Sequence, residues 1–213
     1  MDRRAYLAGA GSALAAATAG CGFILGTEAA KFSADAAVAS DAAVQETGYE
    51  SAGQEDMKIE REFTVADQTR TVVVTNVLSK YEKTVDLGPL GEQRGAVFTC
   101  LTTPQVKVLG KEFNPVKDWP AEKMAKQAQS QYSGFKNLTE QGESTVTVNG
   151  HSTTQVKFTG DAMLAGSPVE IALHVCEAAK LDGDFVVSFG AYPQMASGEE
   201  SNVLALMESV QRP

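Results

Sequence analysis

The chain is poor in the side chains that build metal centres and nucleophilic sites. Its 213 residues include two histidines and three cysteines. Neither His151 nor His174 stands in an HExxH pattern, and no two cysteines are spaced as CxxC, so the sequence gives no metal site. Three cysteines are also too few for a disulfide scaffold. Basic charge is scarce as well: 18 Lys and Arg stand against 27 Asp and Glu, for a formal net charge of −9. That argues against nucleic acid, whose phosphates need a basic face. It argues equally against a polybasic grip on anionic lipid. No cofactor signature is present. Gly9-Ala10-Gly11 has Leu14 where a dinucleotide fingerprint needs glycine.

What is there begins at the N-terminus. Arg3 and Arg4 precede an apolar run, Leu7–Ala19, which is shorter than the roughly 20 residues a bilayer-spanning helix needs. A charged start, a short apolar middle and a small-residue exit describe an export signal over residues 1–20, and the paired arginines fit the twin-arginine route. Thr18-Ala19-Gly20-Cys21 resembles a lipobox, in which Cys21 is lipidated and becomes the first residue after cleavage. Thr18 stands where such motifs usually carry leucine. The expected location is the cell membrane, lipid-anchored and facing the exterior, with the membrane as partner through the lipid on Cys21.

Residues 21–44 are then expected to form a tether. Gly22–Ala39 is rich in alanine, serine and aspartate and lacks periodicity. Ser40 is placed to cap a short helix over Asp41–Thr47, with Gly48 at its C-terminal end. A single domain is expected over residues 45–213. It opens with strands at Lys58–Val65, Thr69–Tyr81 and Arg94–Thr102, and Gln105–Phe113 adds a short distorted one. Ala121–Tyr132 predicts a helix, with Asp118 as cap, Pro120 in the first turn and Gly134 closing it. Pro168–Glu177 alternates, which puts Val169, Ile171, Leu173 and Val175 inward and Glu170, Ala172 and His174 outward. Phe185–Tyr192 is apolar on both faces and so belongs at the sheet centre or under a helix. Ser197-Gly198-Glu199-Glu200 reads as a capping box for a last helix, Glu199–Gln211. The fold class is α+β: a largely antiparallel sheet covered by two helices.

The Asn149-Gly150 hairpin permits two registers. A two-residue turn would put Val146 and Val148 opposite in facing to Val156 and Phe158. A three-residue loop, Val148-Asn149-Gly150, puts Val146 on their face with Gly150 in a bulge, and is the register expected for a sheet with one buried face.

Candidate sites are sparse. His174 and Cys176 share a strand face with Glu170, which describes either an imidazole-activated thiol or a solvated histidine beside an ordinary cysteine. Side chains two apart on a strand lie about 7 Å from each other, too far for direct proton transfer. Cys100 and Cys176 pair only if their Cα atoms come within about 7 Å; otherwise they are two separate buried thiols. Asp182-Gly183-Asp184 suits a calcium loop or a hairpin turn. Phe113, Asn114 and Trp119 form an aromatic-polar stretch that lines a ligand or partner surface, or plugs the sheet as a packed loop. Asn137-Leu138-Thr139 is a glycosylation sequon.

Several stretches carry a resemblance. Thr47-Gly48-Tyr49-Glu50, Tyr81-Glu82-Lys83-Thr84-Val85-Asp86-Leu87-Gly88-Pro89-Leu90-Gly91, Thr103-Pro104-Gln105-Val106 with Phe113-Asn114-Pro115, and Tyr192-Pro193-Gln194 are similar to a family of haloarchaeal exported lipoproteins. That likeness supplies no catalytic residues. The order of elements resembles the α/β/α sandwich of the nuclear-transport factor Mog1 and the photosystem protein PsbP, a likeness of topology alone. The function expected is a non-catalytic binding or accessory module for a membrane-protein partner or a small solute. The alternative is an extracytoplasmic hydrolase or thiol-dependent enzyme whose residues converge only in the fold. A cleft where Glu170, His174 or Asp184 meets other ionisable groups would favour the enzyme, and an apolar surface the module.

Overall fold

A computed structural model describes residues 29–65, 68–108, 111–112, 114–131 and 135–213. The expectations for Arg3, Arg4, Cys21, Phe113, Tyr132 and Gly134 lie outside these residues. Among those described, no helix is long and apolar enough to cross a membrane.

Two antiparallel meanders build one sheet. The first is β3 (Glu50–Val65), β4 (Gln68–Asp86) and β5 (Glu92–Pro104). The second is β8 (Lys136–Val148), β9 (His151–Leu164), β10 (Ser167–Leu181) and β11 (Asp184–Pro193). They join where β5 pairs antiparallel with β11. The crossover between them holds two short paired strands, β6 (Lys107–Val108) and β7 (Lys111–Glu112), and helix α2 (Ala121–Gln131). A short strand, β1 (Ala30–Ser33), pairs parallel with Val72–Thr75 of β4, beyond the end of β5. The α+β class with a largely antiparallel sheet is thus observed.

The second meander owes its register to three turns of one kind. Asn149-Gly150, Ala165-Gly166 and Asp182-Gly183 each join directly paired residues, and all six have positive φ, between 47° and 93°. Two central residues with positive φ make the turn whose twist matches that of the strands it joins. The three-residue loop expected at Val148-Asn149-Gly150 is therefore overturned, because Val148 pairs with His151 and Val146 with Thr153. The register is not frustrated, since both faces of this sheet are covered. Val146 and Val148 pack with Phe98, Leu206 and Met207 on one face. Val156 and Phe158 pack with Met124 and Ala125 of α2 on the other.

Double coverage also revises the facing of β10. Val169, Ile171, Leu173 and Val175 are buried towards α2, as the alternation requires. Ala172, His174 and Cys176, however, are buried on the opposite face. His174 is fully buried rather than outward and solvated. β11 is buried along almost its whole length between β5 and β10, as its two apolar faces predict.

The tether expected over 21–44 is overturned for its second half. Residues 30–44 belong to the folded unit: β1 enters the sheet, and β2 (Val38–Ala39) pairs with β12 (Val210–Gln211). Helix α1 (Asp41–Thr47) follows, with the Ser40 hydroxyl accepting from the Ala43 amide and Gly48 left-handed at φ 71°, as read from the sequence. Periodicity could not reveal the preceding stretch, because side chains elsewhere hold its backbone. The amides of Asp35, Ala37 and Ala39 donate to Asp184, Thr102 and Tyr81. Arg212 closes the same seam, donating to the carbonyls of Asp35, Ala36 and Leu181 and to the Asp184 carboxylate.

Two helix caps also differ from the sequence reading. Ala121 at the start of α2 donates to Glu177, not Asp118, at 3.0 Å. Glu177 sits where a bulge shifts the β10 register between Cys176 and Ala179. Helix α3 (Glu199–Glu208) starts at Gly198, φ 82°, with no side-chain cap, so the capping box is not formed. Its glutamates are used elsewhere: Glu199 is buried and Glu200 pairs with Lys157.

α3 lies against the sheet at Gly190 of β11, where an added Cβ would overlap Val203 Cγ1 and come within 2.9 Å of its Cγ2. Both partners are buried and the backbone has no room to yield. Gly190→Ala is therefore expected to cost about 1–3 kcal/mol, the usual penalty of overpacking, seen as a lowered urea midpoint. Val203→Ala in the same chain should recover part of that loss. An unchanged midpoint for the single variant would refute the close approach.

Candidate functional site

The two faces of the sheet are covered unequally. α1 and α3 pack on one face, over Tyr81, Phe98 and Val186. On the other, α2 covers the β8–β10 side, and the β3–β5 side is left open. An apolar groove of about 770 Å³ results, within the range of roughly 300–1,000 Å³ usual for small-molecule pockets.

Strand alternation supplies its floor. Leu78 comes from β4, Val97 and Leu101 from β5, Ile171 from β10 and Phe189 from β11. Trp119 and Phe135, at either end of the α2 segment, form part of the wall. Met57 (39% exposed), Ile59 (37%), Val97 (39%) and Met163 (58%) line the groove and account for four of the five exposed large apolar side chains among the described residues. Concentrated apolar exposure of this kind marks interaction surfaces.

Polar groups in the groove are few. Its charged lining consists of Glu55, Arg61 and Arg94, and the Tyr192 phenol also borders it. The Glu55 carboxyl is held below its ordinary range, first by a hydrogen bond from Lys80 and then by that ammonium's charge. Arg94 pairs with Glu82 at 3.0 Å. Asn76, only 8% exposed, lines the groove with a carbonyl oxygen that meets no donor among the described residues. Lys123 sits 4.1 Å above the Trp119 ring, a cation–π contact that braces the wall.

The residues singled out for chemistry do not meet here. His174 Nδ1 is 2.9 Å from Gln155 Nε2, and its Nε2 is 3.0 Å from the Tyr192 hydroxyl. The amide donates to Nδ1, so Nε2 carries the proton and donates to Tyr192. Burial, the largest effect, pushes the imidazole down to about 4. Cys176 lies on the same face, but burial drives its thiol up to about 12, which disfavours thiolate. Cys100 is likewise raised by burial and then by Cys176. Both cysteines are free. Ser188 pairs with each from the strand between them, so the two lie two strand spacings apart, about 10 Å. That exceeds the reach of a disulfide.

Asp182-Gly183-Asp184 is a hairpin turn, with Asp184 paired to Arg212. Among the described residues no three His, Cys, Asp or Glu side chains gather as a metal-binding group. Glu170 is exposed on β10. Of the aromatic-polar stretch, Trp119 reaches the groove. Asn114 does not: it is buried, donating to the Pro104 carbonyl and accepting from the Val116 amide. Asn137 is exposed, as expected, with its amide donating to Asp161 at 2.7 Å. A second, polar hollow of about 290 Å³ lies near Lys83 and Arg94, each already paired to a glutamate.

Sequence reasoning missed most of the groove, although one signal was available. Met57 and Ile59 are apolar positions in a strand otherwise dominated by charged and polar residues. Residues 36–211 match the model of a family described as a domain of unknown function (DUF6517). No curated protein and no solved structure matches the chain.

Proposed function

We propose, for a chain that belongs to the DUF6517 family, the role of a non-catalytic binding module that takes an apolar small molecule into the groove under α2. The observation that carries this reading is the groove itself: open, apolar, and among the described residues without a nucleophile, base and acid brought together on its walls. In the same reading the module is an exported lipoprotein, held on the outer face of the cell membrane by lipid on Cys21 and related to the haloarchaeal lipoproteins its motifs resemble. Glycosylation at the exposed Asn137 belongs with that location. Helices on both faces of an antiparallel sheet support a Mog1/PsbP-like sandwich as its architecture.

The test uses an uncharged apolar fluorescent reporter such as Nile red. The folded chain should bind it saturably, and Val97→Glu should abolish binding while leaving the thermal midpoint in place. Failure of the native chain to bind would overturn the reading. Cell fractionation tests the anchor separately: Cys21→Ser should move the protein from membrane to soluble fraction.

A further inference from the structure

The groove's occupant can be narrowed by the polar groups within it. We propose that it is an amphiphile with a hydrocarbon body and an anionic head, drawn from the membrane leaflet beside the anchor, an inference that rests on the binding-module reading above.

Charge complementarity gives the head. The chain carries a net charge of −9, yet two of the three charged residues lining the groove are arginines, and the third, Glu55, is neutralised by Lys80. Arg94 is engaged by Glu82, whereas Arg61 has no ion pair among the described residues. An unpaired guanidinium at the rim of an apolar surface matches a phosphate or carboxylate, which it can grip with two parallel bonds.

Strand register then gives the direction of the ligand. On the β3–β4 hairpin, Arg61 pairs with Val72, Ile59 with Val74 and Met57 with Asn76. Successive odd residues of β3 share a face, so Arg61, Ile59, Met57 and Glu55 form a row. Asn76 lies four residues along β4 from the residue opposite Arg61, about 13 Å at 3.3 Å per residue. Its unmet carbonyl oxygen is an acceptor awaiting a donor, such as a hydroxyl in the polar link between head and hydrocarbon. Beyond it the lining is mainly apolar, with Leu78, Leu101, Val97, Phe189 and Trp119; Thr99, Gln127 and Tyr192 are its uncharged polar members, and Glu55, held by Lys80, stands opposite Leu78. Head, link and body follow one line across the groove.

The source follows from where the chain enters. Ala30 pairs with Val72, the residue opposite Arg61, so the N-terminal segment approaches the fold at the same end as the free guanidinium. Nine residues from Cys21 to Ala30 reach at most about 30 Å. A lipidated Cys21 thus keeps the Arg61 end within a short distance of the headgroups.

The experiment uses the full chain carrying Cys21→Ser, incubated with vesicles of phosphatidylglycerol or of phosphatidylcholine and then separated from them. Retained lipid is extracted and quantified, and the emission of Trp119, the only tryptophan, reports occupancy. Phosphatidylglycerol should be retained near one per chain with a blue shift of that emission. Phosphatidylcholine should be held about tenfold less well, the scale of one charge-assisted contact. Arg61→Glu should erase the preference, and its exposed position leaves the thermal midpoint in place. Equal retention of both lipids, no effect of Arg61→Glu, or no retained lipid would each overturn the inference. Continued reporter binding in those cases would leave the binding-module reading standing, and its loss in the native chain would remove both.

Discussion

Glu199→Ala is expected to lower the unfolding free energy by about 3 kcal/mol, the low end of the cost of breaking a buried ion pair. Glu199 is 3% exposed and its carboxylate is a hub. One oxygen accepts from Lys83 and from Asn202, and the other from the Tyr49 hydroxyl at 3.1 Å. These partners come from β4, from α3 itself and from the turn after α1, so a single carboxylate ties three separate elements together. Removing it leaves the Lys83 ammonium, 21% exposed, without its anion and the buried Tyr49 hydroxyl without its acceptor. Glu199→Gln keeps hydrogen-bonding capacity and loses the charge, so its cost should fall between native and alanine. In a double-mutant cycle with Lys83→Ala the losses should be clearly less than additive. Denaturant unfolding measures all three, and a Glu199→Ala loss under about 0.5 kcal/mol, typical of surface sites, would refute the hub. Tyr49 and Lys83 thus help hold the fold together through this carboxylate.

The second large effect is a pH dependence of stability. His174 is neutral and buried in the fold, with its imidazole pushed from an ordinary 6.5 down to about 4, chiefly by desolvation. Glu200 opposes that shift and Lys157 adds to it. Its polar neighbours are committed to the neutral form, in a chain running from the Ser144 hydroxyl through Gln155 to His174 and on to Tyr192. The unfolded chain takes up a proton near pH 6.5 and the folded chain only near 4. In that window the unfolded state binds more protons, so stability rises with pH. This contribution is fully present above about pH 6.5, is lost as pH falls towards 4, and levels off below. The total lost is roughly 3 kcal/mol, from 1.36 kcal/mol for each tenfold change in proton affinity. Other carboxylates add their own slope at the acid end, so the test is a difference between two proteins. The stability–pH curve of His174→Gln should lack the fall between 6.5 and 4 that the native chain shows. Parallel curves would overturn the assignment.

The sequence determined the elements whose signals are local. Ser40 and Gly48 bracket α1 because a hydroxyl acceptor and a residue free to adopt positive φ act within one turn. The alternation of β10 and the doubly apolar β11 follow from period-two facing. The two-sided coverage is legible in the apolar residues that alternate along β5, with Phe98 and Cys100 under α1 and α3 and Val97 and Leu101 in the groove, and the same coverage allows the two-residue turn at Asn149-Gly150. Tertiary structure decided what depends on distant partners. Residues 30–39 fold because Thr102, Tyr81 and Asp184 receive their amides, contacts 42 to 149 residues apart in the chain. His174 is buried because α3 closes over its face, and Glu199 turns from cap to hub because Lys83 and Tyr49 converge on it. The groove exists because α2 covers only one side of its sheet face, leaving the apolar side chains of β3, β4 and β5 uncovered. Periodicity states which side chains share a face. Only the packing of the helices decides which part of that face stays open to a ligand.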